Sequence, residues 1–257
     1  MRIATWNVNS VRARLGNITS WLEASRPDVL LLQEIKCQTE DFPALEFQSL
    51  GYECHVAGQK SYNGVALLSR FPVEDPLTAL PGNPADEQAR YLEGTVKGVR
   101  IASLYLPNGN PVGSEKYAYN LAWMDRLTVH AKALLKSEKP FVFGGDFNVI
   151  PADADVYAPE DWRGDALFTQ STRDAFRRLV GLGLTEAYRA LHPQQTEAYT
   201  FWDYQGGAWQ RNLGLRIDHF LLSPEATDLL LSVEIDRAPR AQEKASDHVP
   251  VILSLDA

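Results

Sequence analysis

The sequence is short of several things, and each shortage excludes a class of protein. Of 257 residues only two are cysteine, Cys37 and Cys54. A secreted scaffold held by disulfides uses many more, so both thiols read as small apolar residues in a reducing compartment. No apolar run approaches the ~18 residues of a membrane-spanning helix. Val29-Leu30-Leu31-Leu32 is the longest near the start, and the opening Met1-Arg2-Ile3-Ala4-Thr5-Trp6 carries no apolar leader. The expectation is a cytoplasmic protein with no membrane attachment. Positive charge is scarce as well: 25 Lys and Arg against 33 Asp and Glu leave a formal charge of −8. That excludes holding nucleic acid by bulk electrostatics, but not an enzyme with a local basic rim around an acidic metal site. Repeats and low-complexity tracts are absent, so one domain spanning 1–257 is expected.

What is present alternates between strand and helix signals. Ile3–Val8 reads as a strand. Ser10 reads as the N-cap of a helix carrying Val11, Leu15, Ile18 and Leu22, ended by Pro27. Asp28–Gln33 is an apolar strand of the kind covered on both faces. Phe42–Leu50 reads as a short helix, and Tyr52–Ala57 and Gly64–Ser69 as strands. Thr95–Lys97 and Arg100–Leu106 form a hairpin turning at Gly98; Glu115–Leu135 is a long helix; Phe141–Gly145 is a strand running into Asp146. Thr172–Val180 is helical, and Thr200–Asp203, Ile217–Leu222, Leu231–Ile235 and Val249–Leu255 read as strands. Pro72–Gln88 and Pro151–Asp165 read as long loops. Hairpins mixed with crossovers predict an α/β fold of two mixed sheets packed face to face, with helices outside.

Polar residues gather where these strands end: Asn7 and Asn9, Glu34 and Lys36, Tyr105 and Asn108, Asp146 and Asn148, Asp218, and Asp247 with His248. If the ends meet, one cleft holds carboxylates, carboxamides and an imidazole. Such oxygen donors suit Mg²⁺ or Mn²⁺ and not zinc. Beside them an acid can activate water, and a His held by an Asp can stabilise developing charge, which describes in-line hydrolysis of a phosphoester. Ser246-Asp247-His248 offers no serine relay, because adjacent residues at one strand end cannot form one. His55, His130, His192 and His219 lack a partner pattern and read as structural. Aromatics and arginines interleave from Tyr199 to Arg216, which fits base or sugar stacking or an apolar hairpin.

Seven segments stand in order: Thr5-Trp6-Asn7-Val8-Asn9, Gln33-Glu34-Ile35-Lys36, Asn63-Gly64-Val65-Ala66, Tyr105-Leu106-Pro107-Asn108-Gly109, Gly145-Asp146-Phe147-Asn148, Leu215-Arg216-Ile217-Asp218 and Ser246-Asp247-His248. Together they resemble the exonuclease III and abasic-site endonuclease branch of the endonuclease/exonuclease/phosphatase superfamily, over the whole chain. The resemblance implies a four-layer α/β sandwich of two mixed sheets flanked by helices. It implies a monomeric repair nuclease that uses Mg²⁺, or Mn²⁺ in its place, on double-stranded DNA that is damaged or has a 3′ end. It places Asn7, Glu34, Asp146, Asn148, Asp247 and His248 around the metal. It gives Asp146, His248, Tyr105, Asn148 and Asp218 the catalytic roles. Phe201, Trp202, Leu215 and Ile217 match positions lining a pocket for a flipped-out abasic sugar. Asn9, Lys36, Lys60, Asn108, Arg211 and Arg216 are the expected DNA contacts. The departure is Pro151–Thr172, an acidic stretch with Trp162 and Leu167 where the family places a polar or basic loop over DNA. Competing readings are a superfamily phosphatase acting on a small phosphoester and a non-catalytic DNA-binding relative.

Overall fold

A computed structural model describes residues 1–257. In chain order the first half runs β1 (Arg2–Asn7), α1 (Leu15–Ser25), β2 (Val29–Gln33), α2 (Ala44–Ser49), β3 (Glu53–Ala57), β4 (Val65–Ser69), β5 (Glu74–Leu77), β6 (Tyr91–Val96), β7 (Val99–Tyr105) and α3 (Glu115–Leu135). The second half runs β8 (Phe141–Asp146), α4 (Pro159–Trp162), α5 (Gln170–Val180), β9 (Thr185–Glu186), α6 (Ala187–Leu191), β10 (Asp218–Leu222), α7 (Pro224–Thr227), β11 (Leu230–Ile235) and β12 (Val251–Leu255). No helix is long and apolar enough to cross a membrane.

The strands form two six-stranded sheets, in the orders β11-β12-β1-β2-β4-β3 and β5-β6-β7-β8-β10-β9. Alternation along the buried strands assigns their faces. In β2, Val29 and Leu31 face the space between the sheets, while Leu30 and Leu32 face the outer layer. The inter-sheet core gathers Ile3, Leu31, Leu67, Ile101, Val142 and Phe220. Outside the first sheet lie Trp21, Leu22 and Phe47 from α1 and α2. Outside the second lie Trp123, Leu127 and Phe176 from α3 and α5. The result is the four-layer sandwich that the resemblance implies.

Only β1–β2 and β7–β8 pair in parallel; β12 and β10 run antiparallel to them. The carboxyl ends of β1, β2, β7 and β8 therefore meet the amino ends of β10 and β12 at one edge. Gly144 and Gly145 permit the close approach there. A Cβ on Gly145 would stand 1.9 Å from the Leu104 carbonyl oxygen, and one on Gly144 would stand 2.5 Å from the Phe220 ring. Just behind this edge Gln33 Nε2 donates to Thr5 Oγ1 at 3.0 Å and Ser103 Oγ at 3.1 Å, tying the sheets together through buried polar groups.

Several local expectations are corrected. Ser10 caps no helix; the Ser10 and Val11 amides donate to the carbonyls of Glu34 and Ile35 at 2.7 and 3.1 Å, so the helix begins only at Leu15. Thr200–Asp203 is not a strand: Phe201 alone makes isolated bridges, to Leu215 and His248. The Pro72–Gln88 loop contains β5, and Pro151–Asp165 contains a 3-10 turn at Asp153–Asp155 and α4.

Candidate active site

The strand ends deliver their polar residues to one cleft of about 210 Å³, whose lining includes Glu34, Tyr105, Asn108, Asp146, Asn148, Asp247 and His248. Register sets the spacing: Asp146 stands opposite Tyr105 on one side and Asp218 on the other. Past the strand ends the chain turns through left-handed residues, Glu34 at φ 50° and Asn148 at φ 47°. Such backbone is sparsely populated for residues with a Cβ, and it persists where surrounding contacts enforce it.

Asn7 bridges two carboxylates, donating from Nδ2 to Glu34 Oε1 at 2.9 Å and to Asp146 Oδ2 at 3.0 Å. Its oxygen accepts from the Asn9 amide at 3.1 Å. The expected metal neighbour thus spaces the carboxylates with its N–H groups. Asn148 is locked in the same way: its side chain donates to the Leu106 carbonyl at 2.8 Å and accepts from Asn108 at 3.1 Å. Its backbone N–H donates to Asp146 Oδ1 at 2.9 Å. Asn148 therefore aims Asp146. Asp247 Oδ1 accepts from Asn9 at 3.1 Å, and Lys36 pairs with Glu34 Oε2 at 2.9 Å.

His248 is buried, with Nδ1 2.9 Å from Asp218 Oδ2 and Nε2 3.8 Å from Asp146 Oδ2. Asp218 is itself held by the Thr200 hydroxyl at 2.6 Å, a partner that sequence reasoning missed. Burial raises the Asp146 pKa to about 7, with the Asp218 and Glu34 charges adding to it and His248 opposing. Burial disfavours the His248 imidazolium, but the charge and hydrogen bond of Asp218, with Asp146 and Asp247 behind, raise its pKa to about 10. Burial, with Glu34 and Asp146 nearby, keeps the Tyr105 phenol protonated far above neutrality. The cleft thus presents one carboxyl poised to take a proton and two groups poised to donate.

Ligating atoms of Glu34, Asp146 and His248 lie within 4.8 Å of one another. Crowded carboxylates with amide neighbours fit a hard divalent cation, whose charge would offset the burial and the neighbouring carboxylates that raise Asp146.

One wall is apolar: Trp162, Leu167, Phe201, Leu215 and Ile217. Phe201 packs edge-on against His248, with ring centres 4.9 Å apart. Trp162 and Leu167 come from the acidic segment, three of whose carboxylates pair with arginines inside and beyond it. Asp153 pairs with Arg163 and Arg173, Glu160 with Arg163, and Asp155 with Arg189 and Arg216.

Two expected DNA contacts are corrected. Arg216 is only 1% exposed, with Nε 2.8 Å from Asp155 and Nη1 2.9 Å from Glu186. It is an internal strut, since alternation along the chain turns it away from Leu215 and Ile217. Trp202 is fully buried and packs on Trp209, with ring centres 4.8 Å apart, outside the cleft. Lys60 and Arg211 are exposed and lie outside the cleft lining.

The chain and its fold are similar to those of known proteins. The chain is 30% identical to exodeoxyribonuclease III of Haemophilus influenzae over 98% of both chains. Its structure superposes on an AP endonuclease from Archaeoglobus fulgidus with a TM-score of 0.96 and 35% identity, covering 100% of both. It also superposes on a Neisseria 3′ phosphatase bound to a product DNA hairpin, with a TM-score of 0.97 and 42% identity over 100% of both chains. The model of the endonuclease/exonuclease/phosphatase family matches residues 4–248, and the chain belongs to that family.

Proposed function

We propose that the chain is a divalent-metal-dependent nuclease of the exonuclease III type. It hydrolyses phosphodiesters of double-stranded DNA at a recessed 3′ end or at a damaged site such as an abasic one. The observation carrying this reading is the cleft itself, where Glu34, Asp146 and His248 converge beside the apolar wall of Phe201, Leu215 and Ile217. The wall suits a deoxyribose, with or without a small base, and the polar side suits a phosphate. The relatives named for exonuclease, abasic-site and 3′-phosphatase activities share this combination of fold and chain length.

Glu34, with Asp247 in the same cleft, would hold Mg²⁺, or Mn²⁺ in its place; bound there, the cation polarises a phosphoryl oxygen and offsets phosphate charge. Asp146 takes the proton of the attacking water, a role suited to a carboxyl whose pKa lies near 7. Water oxygen bonds to phosphorus as the opposite P–O bond breaks, and the departing oxygen takes up a proton from solvent water to leave as a hydroxyl. His248, whose pKa is raised to about 10 chiefly by Asp218, donates a hydrogen bond from Nε2 to the phosphate. Tyr105 donates a hydrogen bond from its phenol to the same group. One chain supplies the whole site, so a monomer suffices. Cys37 and Cys54 are both free thiols, which suits a reducing compartment such as the cytoplasm.

The test is a gel assay with Mg²⁺, Mn²⁺ or chelator. It compares a duplex carrying an abasic-site analogue, the intact duplex, and one with a recessed 3′ end. Metal-dependent cutting at the lesion or stepwise loss from the 3′ end is expected. No cleavage of any DNA, alongside hydrolysis of a small phosphoester, would overturn the reading.

A further inference from the structure

A second group of cations lies outside the catalytic cleft. Arg14, Arg240 and Lys244, with Tyr204, line a cavity of about 360 Å³. In a chain with a net charge of −8, arginines such as Arg163, Arg173 and Arg177 pair with carboxylates. These three cations do not. Arg14 spends its nitrogens on neutral oxygens: the Lys244 carbonyl at 3.2 Å, the Asn9 carbonyl, and the Tyr204 hydroxyl at 3.0 Å. Arg240 donates to the Trp202 carbonyl at 3.1 Å, while its Nε is buried with no partner. Its guanidinium lies over the rings of Tyr204 and Trp209, at 5.2 and 5.8 Å. Burial pulls its pKa below the ordinary guanidinium value. Lys244 is exposed at the rim. Partly desolvated cations without anions are costly, and an anion entering this cavity would remove that cost.

The cavity is one amide away from the cleft. Asn9 Nδ2 donates both to Tyr204 Oη at 3.3 Å and to Asp247 Oδ1 at 3.1 Å. A polyanion whose phosphate sits beside His248 can carry a neighbouring phosphate past Asn9 and Tyr204 into this space. Tyr204, half exposed, adds an aromatic face at the mouth, as nucleic-acid sites commonly do.

We infer that the cavity bounded by Arg14, Arg240 and Lys244 is a second phosphate-binding site, which takes a backbone phosphodiester of the DNA engaged in the catalytic cleft. The inference rests on the nuclease reading above. The site gives an acidic protein a local cationic hold on its substrate and fixes the strand on the Asn9 side of the scissile phosphate.

Lys244→Ala is the first variant, because Lys244 is exposed and its side chain has no bonding partner in the fold. Arg240→Gln is the second, and keeps part of the packing on Tyr204. Binding of a duplex with phosphorothioate 3′ termini, in Mg²⁺ and across a KCl series, reads the site by fluorescence anisotropy. Each variant is expected to weaken binding and to flatten the slope of log K against log salt by ~0.9, the loss of one phosphate contact. Lys132→Ala, at an exposed position on α3, is the control that leaves the slope unchanged. An unchanged slope in both test variants overturns the inference. So does a slope that stays fixed while inorganic phosphate raises the melting temperature of the wild type and not of Lys244→Ala, since the cavity would then hold a free anion. If the gel assay shows no DNA cleavage by the wild type, it is the nuclease reading that fails.

Discussion

Asp218 Oδ2 lies 2.9 Å from His248 Nδ1, and the same oxygen accepts the Thr200 hydroxyl at 2.6 Å. No cation pairs with this carboxylate except the imidazole itself. Its charge is thus spent on fixing the ring and keeping it protonated, which leaves Nε2 as the donor facing the cleft. Replacing Asp218 with Asn removes the charge while keeping the shape. The His248 pKa then falls from about 10, because burial disfavours the charged ring once its partner is neutral. If the imidazolium is the active form, kcat falls as pH rises through its pKa, so the alkaline limb of the profile moves to lower pH in the variant. Turnover at neutral pH should drop roughly 10²- to 10⁴-fold. A wild-type-like alkaline limb would remove Asp218 from this role.

Glu34 is the carboxylate whose only cationic partner is Lys36, at 2.9 Å. Replacing it with Ala takes away the oxygen pair held by Asn7 and Lys36, while Asp146 stays at the end of β8 and His248 in the segment leading into β12. The metal concentration for half-maximal cleavage should rise by at least about tenfold, as for loss of one supporting ligand contact. DNA affinity measured without metal should change little. A metal titration that superposes on that of the wild type would exclude Glu34 as a ligand.

Arg216 tests the difference between a strut and a DNA contact. Its guanidinium is enclosed by Asp155 and Glu186 and stacks over Tyr188 at 5.4 Å, tying the acidic segment to β10. Arg216→Met leaves two buried carboxylates short of their main cation, a loss on the order of 3–5 kcal/mol. The urea midpoint should fall accordingly, and the salt slope of DNA binding should stay unchanged. A phosphate contact would give the opposite pattern.

The cluster of Asn7, Glu34, Asp146 and His248 was legible in the sequence because each residue follows or precedes an apolar strand. The ends of adjacent strands in two packed sheets have few places to go. What escaped has a different physics. Arg216 looks like a surface cation next to Leu215 and Ile217; only its bond to Asp155, 61 residues earlier, shows that it points inward. Trp202 looked like a pocket wall beside Phe201, but successive side chains of an extended segment face opposite ways, so one neighbour lines the cleft and the other fills a separate cluster. Ser10 had the chemistry of an N-cap, yet its backbone was already claimed by the Glu34 loop. The acidic run of Pro151–Thr172 read as uncompensated because its partners Arg189 and Arg216 lie outside it.

Acid should unfold the protein through groups far from the site. Glu93 is 2% exposed, and burial alone would raise its pKa. Hydrogen bonds from His130, Arg100 and Tyr91 outweigh burial and depress the pKa from 4.5 to about 2. A folded pKa below the unfolded one means that the unfolded chain takes up the proton first as pH falls. The stabilisation is therefore complete above about pH 4.5 and is lost between there and about pH 2. At ~1.4 kcal/mol per pKa unit it amounts to roughly 3 kcal/mol. Glu186 is lowered over the same range, chiefly by Arg216 and His219 against burial, so the two carboxylates act together. Urea midpoints measured from pH 7 to pH 3 should fall steeply below pH 4.5. Glu93→Gln should be less stable than the wild type at pH 7 and should lose less of its stability on acidification. Equal acid sensitivity of the two proteins would show that Glu93 titrates in the folded state as it does in the unfolded chain.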